Sequence, residues 1–186
     1  MRPPDMTLSY EIAPGATQIT SRMERAELER ELEQLHAASF AWALGCCGRN
    51  RDDAEEVLQT VYLKVLDGKA RFDGRSSLKT WLFAVIRHTA MAYRRTRWIR
   101  SLALLRMPAP RDDHDAERDQ QRSEEASRLL AALRRLARRQ REVLELVFYH
   151  DMTIEEAGVA MQISVGSARV HYTRGKKRLE ALLGDE

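Results

Sequence analysis

Apolar side chains recur at steps of three and four along most of this chain, and the alternation of a half-buried strand develops nowhere. The spacing predicts a first helix from about Arg22 to Cys47, stopped by Gly48. A second is expected to open near Asp52, where Asp52-Asp53-Ala54-Glu55 resembles a capping box. Its apolar face is Ala54, Leu58, Val61, Tyr62, Val65 and Leu66, its opposite face Glu55, Glu56, Gln59 and Leu63, and Gly68 ends it. The polar segment Lys69 to Ser77 carries one large apolar residue, Phe72. Ser76 or Ser77 then caps a third helix with the stripe Leu78, Trp81, Leu82, Val85, Ile86 and Thr89.

That periodicity breaks between Met107 and Arg122, where Pro108 and Pro110 precede Asp112, Asp113, Asp115, Glu117 and Asp119. Such residues build no core, so the segment reads as a flexible acidic linker and a domain boundary. Beyond it, Ala126, Leu129, Leu130, Leu133 and Leu136 define one helix, and Val143, Leu144, Leu146 and Val147 another. Thr153-Ile154-Glu155-Glu156 is a capping box for a short helix ending near Met161. After the turn Gln162 to Ser164, Ser164 caps a last helix whose seam is Val165, Ala168, Tyr172, Gly175, Leu179 and Leu182. Short helix, tight turn and longer basic helix is the helix-turn-helix pattern. The expected architecture is all-α: a flexible N-terminal arm over 1–21 (Pro3, Pro4, Pro14, Gly15), one small helical domain over 22–106, the linker over 107–122 and a second small domain over 123–186.

Overall charge changes this picture little, its distribution more. Across 186 residues, 31 Lys and Arg oppose 28 Asp and Glu. From Arg71 to Arg111 cations run almost unopposed, including Arg75, Lys79, Arg87, Arg94, Arg95, Arg97, Arg100 and Arg106, whereas Glu24 to Glu56 is acidic. This asymmetry fits one face meeting nucleic acid and another meeting protein. No apolar h-region occupies the first twenty residues and no stretch reaches the ~20 apolar residues of a bilayer span, so a cytoplasmic protein without membrane insertion is expected. The adjacent Cys46 and Cys47 fit neither a Cys-x-x-Cys metal pair nor a disulfide framework, and read as core thiols.

With the seam of the last helix turned inward, Ser167, Arg169, Val170, His171, Thr173 and Arg174 are left outside, where the first turns of such a helix enter the major groove. Arg169 and Arg174 suit guanine edges or phosphates, and Lys176-Lys177-Arg178 the groove rim. The alternative is a solvated basic face on a bundle. In the third helix, Trp81, Tyr93 and Trp98 lie near Arg87, Arg94, Arg95 and Arg97, a combination suited to single-stranded nucleic acid, and the polar loop Phe72 to Ser77 can accept an extruded base. Trp81 itself sits in phase with the apolar stripe and reads as a core anchor. Arg94, Arg95 and Arg97 crowd one helix end, which costs repulsion unless an anion relieves it.

The run Asp53-Ala54-Glu55-Glu56-Val57-Leu58-Gln59-Thr60-Val61-Tyr62-Leu63 resembles region 2 of bacterial RNA polymerase sigma factors of the sigma-70 family, extracytoplasmic-function group. So does Arg71-Phe72-Asp73-Gly74-Arg75-Ser76-Ser77-Leu78-Lys79-Thr80-Trp81-Leu82-Phe83, while Leu136 through Leu182 looks like region 4. The resemblance implies that Asp53, Glu56, Gln59 and Leu63 dock on core RNA polymerase. It implies that Phe72, Ser76, Ser77, Lys79, Arg87, His88, Arg94, Arg95 and Arg97 recognise and melt the −10 element as single strand. Ser164, Ser167, Arg169, Val170, His171, Arg174, Lys176 and Lys177 would read the −35 element as duplex promoter DNA. An anti-sigma factor is the further partner it implies. Departures from the family pattern are His88 where Asn is frequent, Gln162 where a turn Gly is common, His171 in place of Arg, and Gly175 in place of Ala.

No Gly-rich phosphate loop, nucleophile motif or metal-spaced His pair is present, so an enzyme, a cofactor, a catalytic or metal site and a small-molecule substrate are not expected. Two alternatives are an ordinary helix-turn-helix regulator and a sigma mimic without initiation activity. The first leaves the aromatic-basic helix without a purpose, and the second has no use for Arg94, Arg95, Arg97, Arg169 and Arg174.

Overall fold

The computed structural model describes residues 25–103 and 124–184. The expected arm (1–21) and linker (107–122), with Arg106 and Arg111, lie outside the described residues. Seven α-helices and no strand occur among those described: α1 (Arg25–Cys46), α2 (Arg51–Leu66), α3 (Leu78–Ala103), α4 (Glu124–Arg134), α5 (Arg138–Phe148), α6 (Ile154–Met161) and α7 (Val165–Gly184).

Local chemistry sets the boundaries. α1 closes through Gly48 and Arg49, both left-handed, with the Arg49 amide bonded to the Leu44 carbonyl. The cap of α2 is Asn50, whose side chain accepts from the Asp53 amide at 2.8 Å, two residues before the expected start at Asp52. Ser77 caps α3, accepting from the Thr80 amide at 3.1 Å. The box at Thr153 and Glu156 is reciprocal, at 2.9 and 3.1 Å. Gln162 ends α6 in the left-handed region (φ 53), the conformation that a turn glycine serves more cheaply.

α1, α2 and α3 pack on one another, and α5, α6 and α7 do the same with α4 beside α7. The two groups are not separate bodies. α3 also packs on α6, and one continuous core runs from Trp42, Val57, Val61 and Ile86 to Val143, Leu146, Ala157 and Met161. Double-sided coverage explains why α3 buries Phe83, Thr80 and Arg87 off the expected stripe, while Trp81 and Val85 stay only half-buried. Both cysteines are buried free thiols; burial, first, pushes the Cys47 thiol up to about 11.

In α7 the seam is as expected, with Ala168 and Gly175 fully inside. A methyl at Gly175 would sit 3.1 Å from Gln140 Cβ and 3.2 Å from Leu144 Cδ1. The helical cost of about 1 kcal/mol for glycine is therefore the condition for close packing of α5 against α7.

Candidate nucleic-acid interface

α1 and α2 leave an open groove lined by His36, Phe40, Glu56, Gln59, Tyr62 and Leu63. Leu63 is 56% exposed there, an apolar side chain without cover. Glu56, Gln59 and Leu63 thus share one surface. Asp53 does not join it: its carboxylate is 13% exposed and is held by Arg97 from α3, with the Tyr93 hydroxyl at 3.4 Å. Tyr93 donates to Glu56 at 2.8 Å. That bond, then burial and the charges of Asp53 and Glu56, push the phenol up to about 12. The repulsion expected at the end of α3 is relieved in the same way, since Arg97 meets Asp53 and Arg94 meets the Cys46 carbonyl at 3.3 Å.

Before α3, Phe72 packs against Trp81 with centroids 5.5 Å apart, and the half-buried Ser76 donates to the Ser77 carbonyl at 3.2 Å. Ser77 is committed to its cap and to the Thr80 hydroxyl at 2.8 Å. His88 and Arg95 are exposed. The Trp98 side chain lies outside the described residues. Two expected strand contacts face elsewhere: Lys79 donates to the His150 carbonyl, and Arg87, 7% exposed, is paired with Glu142. Of the residues expected at the single strand, His88, Arg94, Arg95 and Arg97 are exposed, Phe72, Ser76 and Lys79 half-buried, and Arg87 buried.

At the start of α7, Ser164 is an N-cap, accepting from the Ser167 amide at 3.2 Å and donating to the Ser167 hydroxyl at 2.9 Å. Both hydroxyls are thereby engaged. Arg169 is exposed and tied to Glu155 of α6 at 2.7 Å, which first of all holds the Glu155 carboxyl below its usual value. Val170 (46% exposed), Arg174 and Lys177 form the outer ridge, with Lys176 3.9 Å from Glu180 and His171 half-buried. An exposed Val beside guanidinium groups offers a methyl contact to thymine and donors to guanine.

Sequence reasoning missed the residues between the two groups: Glu142, Glu145 and His150. For the two glutamates the signal was charge on the inner side of α5, four residues before Leu146 in the case of Glu142, whereas His150 follows the helix and carried no periodic signal. Among the described residues no cluster suits a metal ion, and no helix is long and apolar enough to cross a membrane.

Comparison with known proteins matches this geometry to named regions. The family model described as Sigma-70 region 2 covers residues 32–100, and that described as Sigma-70, region 4 covers 126–179. Similar proteins include the ECF RNA polymerase sigma factor SigX of Bacillus subtilis, 32% identical over 74% of this chain and 78% of that protein. ECF RNA polymerase sigma factor RpoE of Cereibacter sphaeroides is 31% identical over 80% and 82%. Among solved structures, the sigma factor RpoE bound to the anti-sigma factor NepR from Bartonella quintana shares the fold (TM-score 0.68, 23% identity, 86% of this chain and 98% of that one). CnrH in complex with the cytosolic domain of CnrY shares it at TM-score 0.60 and 22% identity, over 92% and 96%.

Proposed function

Because this chain belongs to the ECF RNA polymerase sigma factors, we propose that α1–α3 grip core RNA polymerase and the non-template strand of the −10 element, while α4–α7 read the −35 element as duplex. Sigma factors bind core polymerase and promoter DNA and are transcription regulators, not enzymes. The split of surface chemistry supports the assignment most. The α1–α2 groove offers Leu63 between acidic and polar groups, the loop before α3 offers an aromatic pair, and α7 offers Val170 between Arg169 and Arg174. Polymerase docking falls to Glu56, Gln59 and Leu63, strand capture to Phe72, Ser76, His88, Arg94 and Arg95, and base reading to Arg169, Val170 and Arg174, with Lys176 and Lys177 on phosphates. Asp53 and Arg97 position one another. An anti-sigma protein is the proposed regulator, acting in the cytoplasm.

Reconstitution tests this. Purified chain and core polymerase should start transcripts at one defined site on a promoter selected from a random library. Core binding without an open complex would favour the mimic.

A further inference from the structure

We infer that Glu155 is a positioning residue for promoter reading: its carboxylate clamps the Arg169 guanidinium, so that Arg169 presents to a guanine edge of the −35 element and not to a phosphate. The inference rests on the assignment of α7 to that element and adds a residue of α6 to its specificity.

The clamp joins two helices. Glu155 is the second residue of α6 and Arg169 the fifth of α7, and Arg169 Nη2 donates to Glu155 Oε1 at 2.7 Å across the turn. The cap of α6 does not use this carboxylate. Its neighbour Glu156 closes the cap, accepting from the Thr153 amide at 2.9 Å and from the Thr153 hydroxyl at 3.0 Å. Nor does the pair hold α6 on α7, since its side chains are 64% and 54% exposed, a setting in which ion pairs contribute little. The two helices pack instead where Gly158 faces Val165 and Ala168.

The consequence of the pair lies on the arginine's outer side. A long guanidinium arm beside a polyanion is drawn to the nearest phosphate unless something holds it. Glu155 opposes that in two ways. It satisfies one donor and fixes the plane of the group, leaving other N–H groups for the O6 and N7 acceptors of guanine. Its negative charge also repels a phosphate oxygen approaching the same guanidinium, whereas the guanine acceptors carry no net charge. Among the exposed side chains in the first two turns of α7, Arg169 is the charged donor, so base preference there turns on where its guanidinium points. Arg174, farther along the helix and exposed, pairs with no carboxylate among the described residues.

The full chain is titrated by fluorescence anisotropy onto a −35 duplex selected from a random library, onto duplexes that change it one base pair at a time, and onto random duplex. Glu155→Gln keeps the size of the side chain and removes its charge. At an exposed site it should leave helical circular dichroism and thermal unfolding as in wild type. Discrimination between selected and random duplex should fall about tenfold, a large part of what one bidentate pair supplies. The loss should fall on the same base pair that Arg169→Ala affects. On random duplex, binding should tighten, and the slope of log affinity against log salt should steepen by about 0.9, one further phosphate contact. With Arg169→Ala already in place, Glu155→Gln should leave base preference unchanged. Discrimination that survives Glu155→Gln would overturn the clamp alone. A loss at a different base pair, or one that persists in the Arg169→Ala background, would overturn it by making Glu155 a base reader in its own right. An equal loss on every duplex would do so by showing a folding role. A wild-type chain that prefers no duplex would overturn the −35 assignment and the clamp with it.

Discussion

Glu145 and His150 face the seam between the two helical groups and titrate in opposite senses. Burial, reinforced by Glu142 and opposed by Arg49 and Arg141, pushes the Glu145 carboxyl from 4.5 to about 7. Burial, reinforced by Lys79 and opposed by Asp151, lowers His150 from 6.5 to about 4. A carboxyl with a raised value supports the fold fully below pH 4.5 and loses that support as pH rises through about 7. An imidazole with a lowered value supports it above pH 6.5 and loses support as pH falls towards 4. At about 1.36 kcal/mol per pH unit, each displacement is worth at most about 3 kcal/mol, less where solvent screens the group. Between pH 4.5 and 6.5 the two slopes largely cancel. Glu145→Gln keeps the side chain's shape and removes one slope. Urea unfolding at half-unit steps from pH 4.5 to 8 should show the variant gaining on wild type by about 2–3 kcal/mol, most of it before pH 7.5. A constant difference across that range would refute the assignment of a neutral, buried carboxyl to this position.

Other perturbations separate packing from recognition. Gly175→Leu should lower stability by about 1–3 kcal/mol in thermal unfolding, because α5 has no room for the side chain. Leu63→Asp should leave unfolding within about 0.5 kcal/mol of wild type while weakening core polymerase binding tenfold or more in a pull-down titration. Arg169→Ala should reduce discrimination between the selected −35 duplex and random duplex by ~1–3 kcal/mol. An equal loss on both would make Arg169 a phosphate contact.

Where an instruction is local, the sequence carried it. The Thr153–Glu156 box, the turn at Gln162 and the seam through Ala168 and Gly175 each involve residues within a turn or two, and the helices follow directly. The Asn50 cap was displaced by a neighbouring Asp52-Asp53 pair of equal capping propensity, with only geometry to separate them. Pairings across the fold left no periodic trace. The ion pairs of Asp53 with Arg97 and of Arg87 with Glu142 join residues 44 and 55 positions apart, a separation that no local pattern encodes. Phe83 is buried off the stripe because α3 has a second partner in α6, a fact about tertiary packing alone.

Permanganate reactivity of promoter thymines, read alongside nuclease protection, tests the division of labour most directly. With polymerase bound through this chain, non-template thymines of the −10 element should become reactive while the −35 element stays protected and unreactive. Substituting Phe72 and Arg95 should abolish the first signal alone, and substituting Arg169 and Arg174 should reduce protection of the −35 element. Loss of both signals together from either pair, or a −10 element that stays paired while transcripts start, would contradict the account.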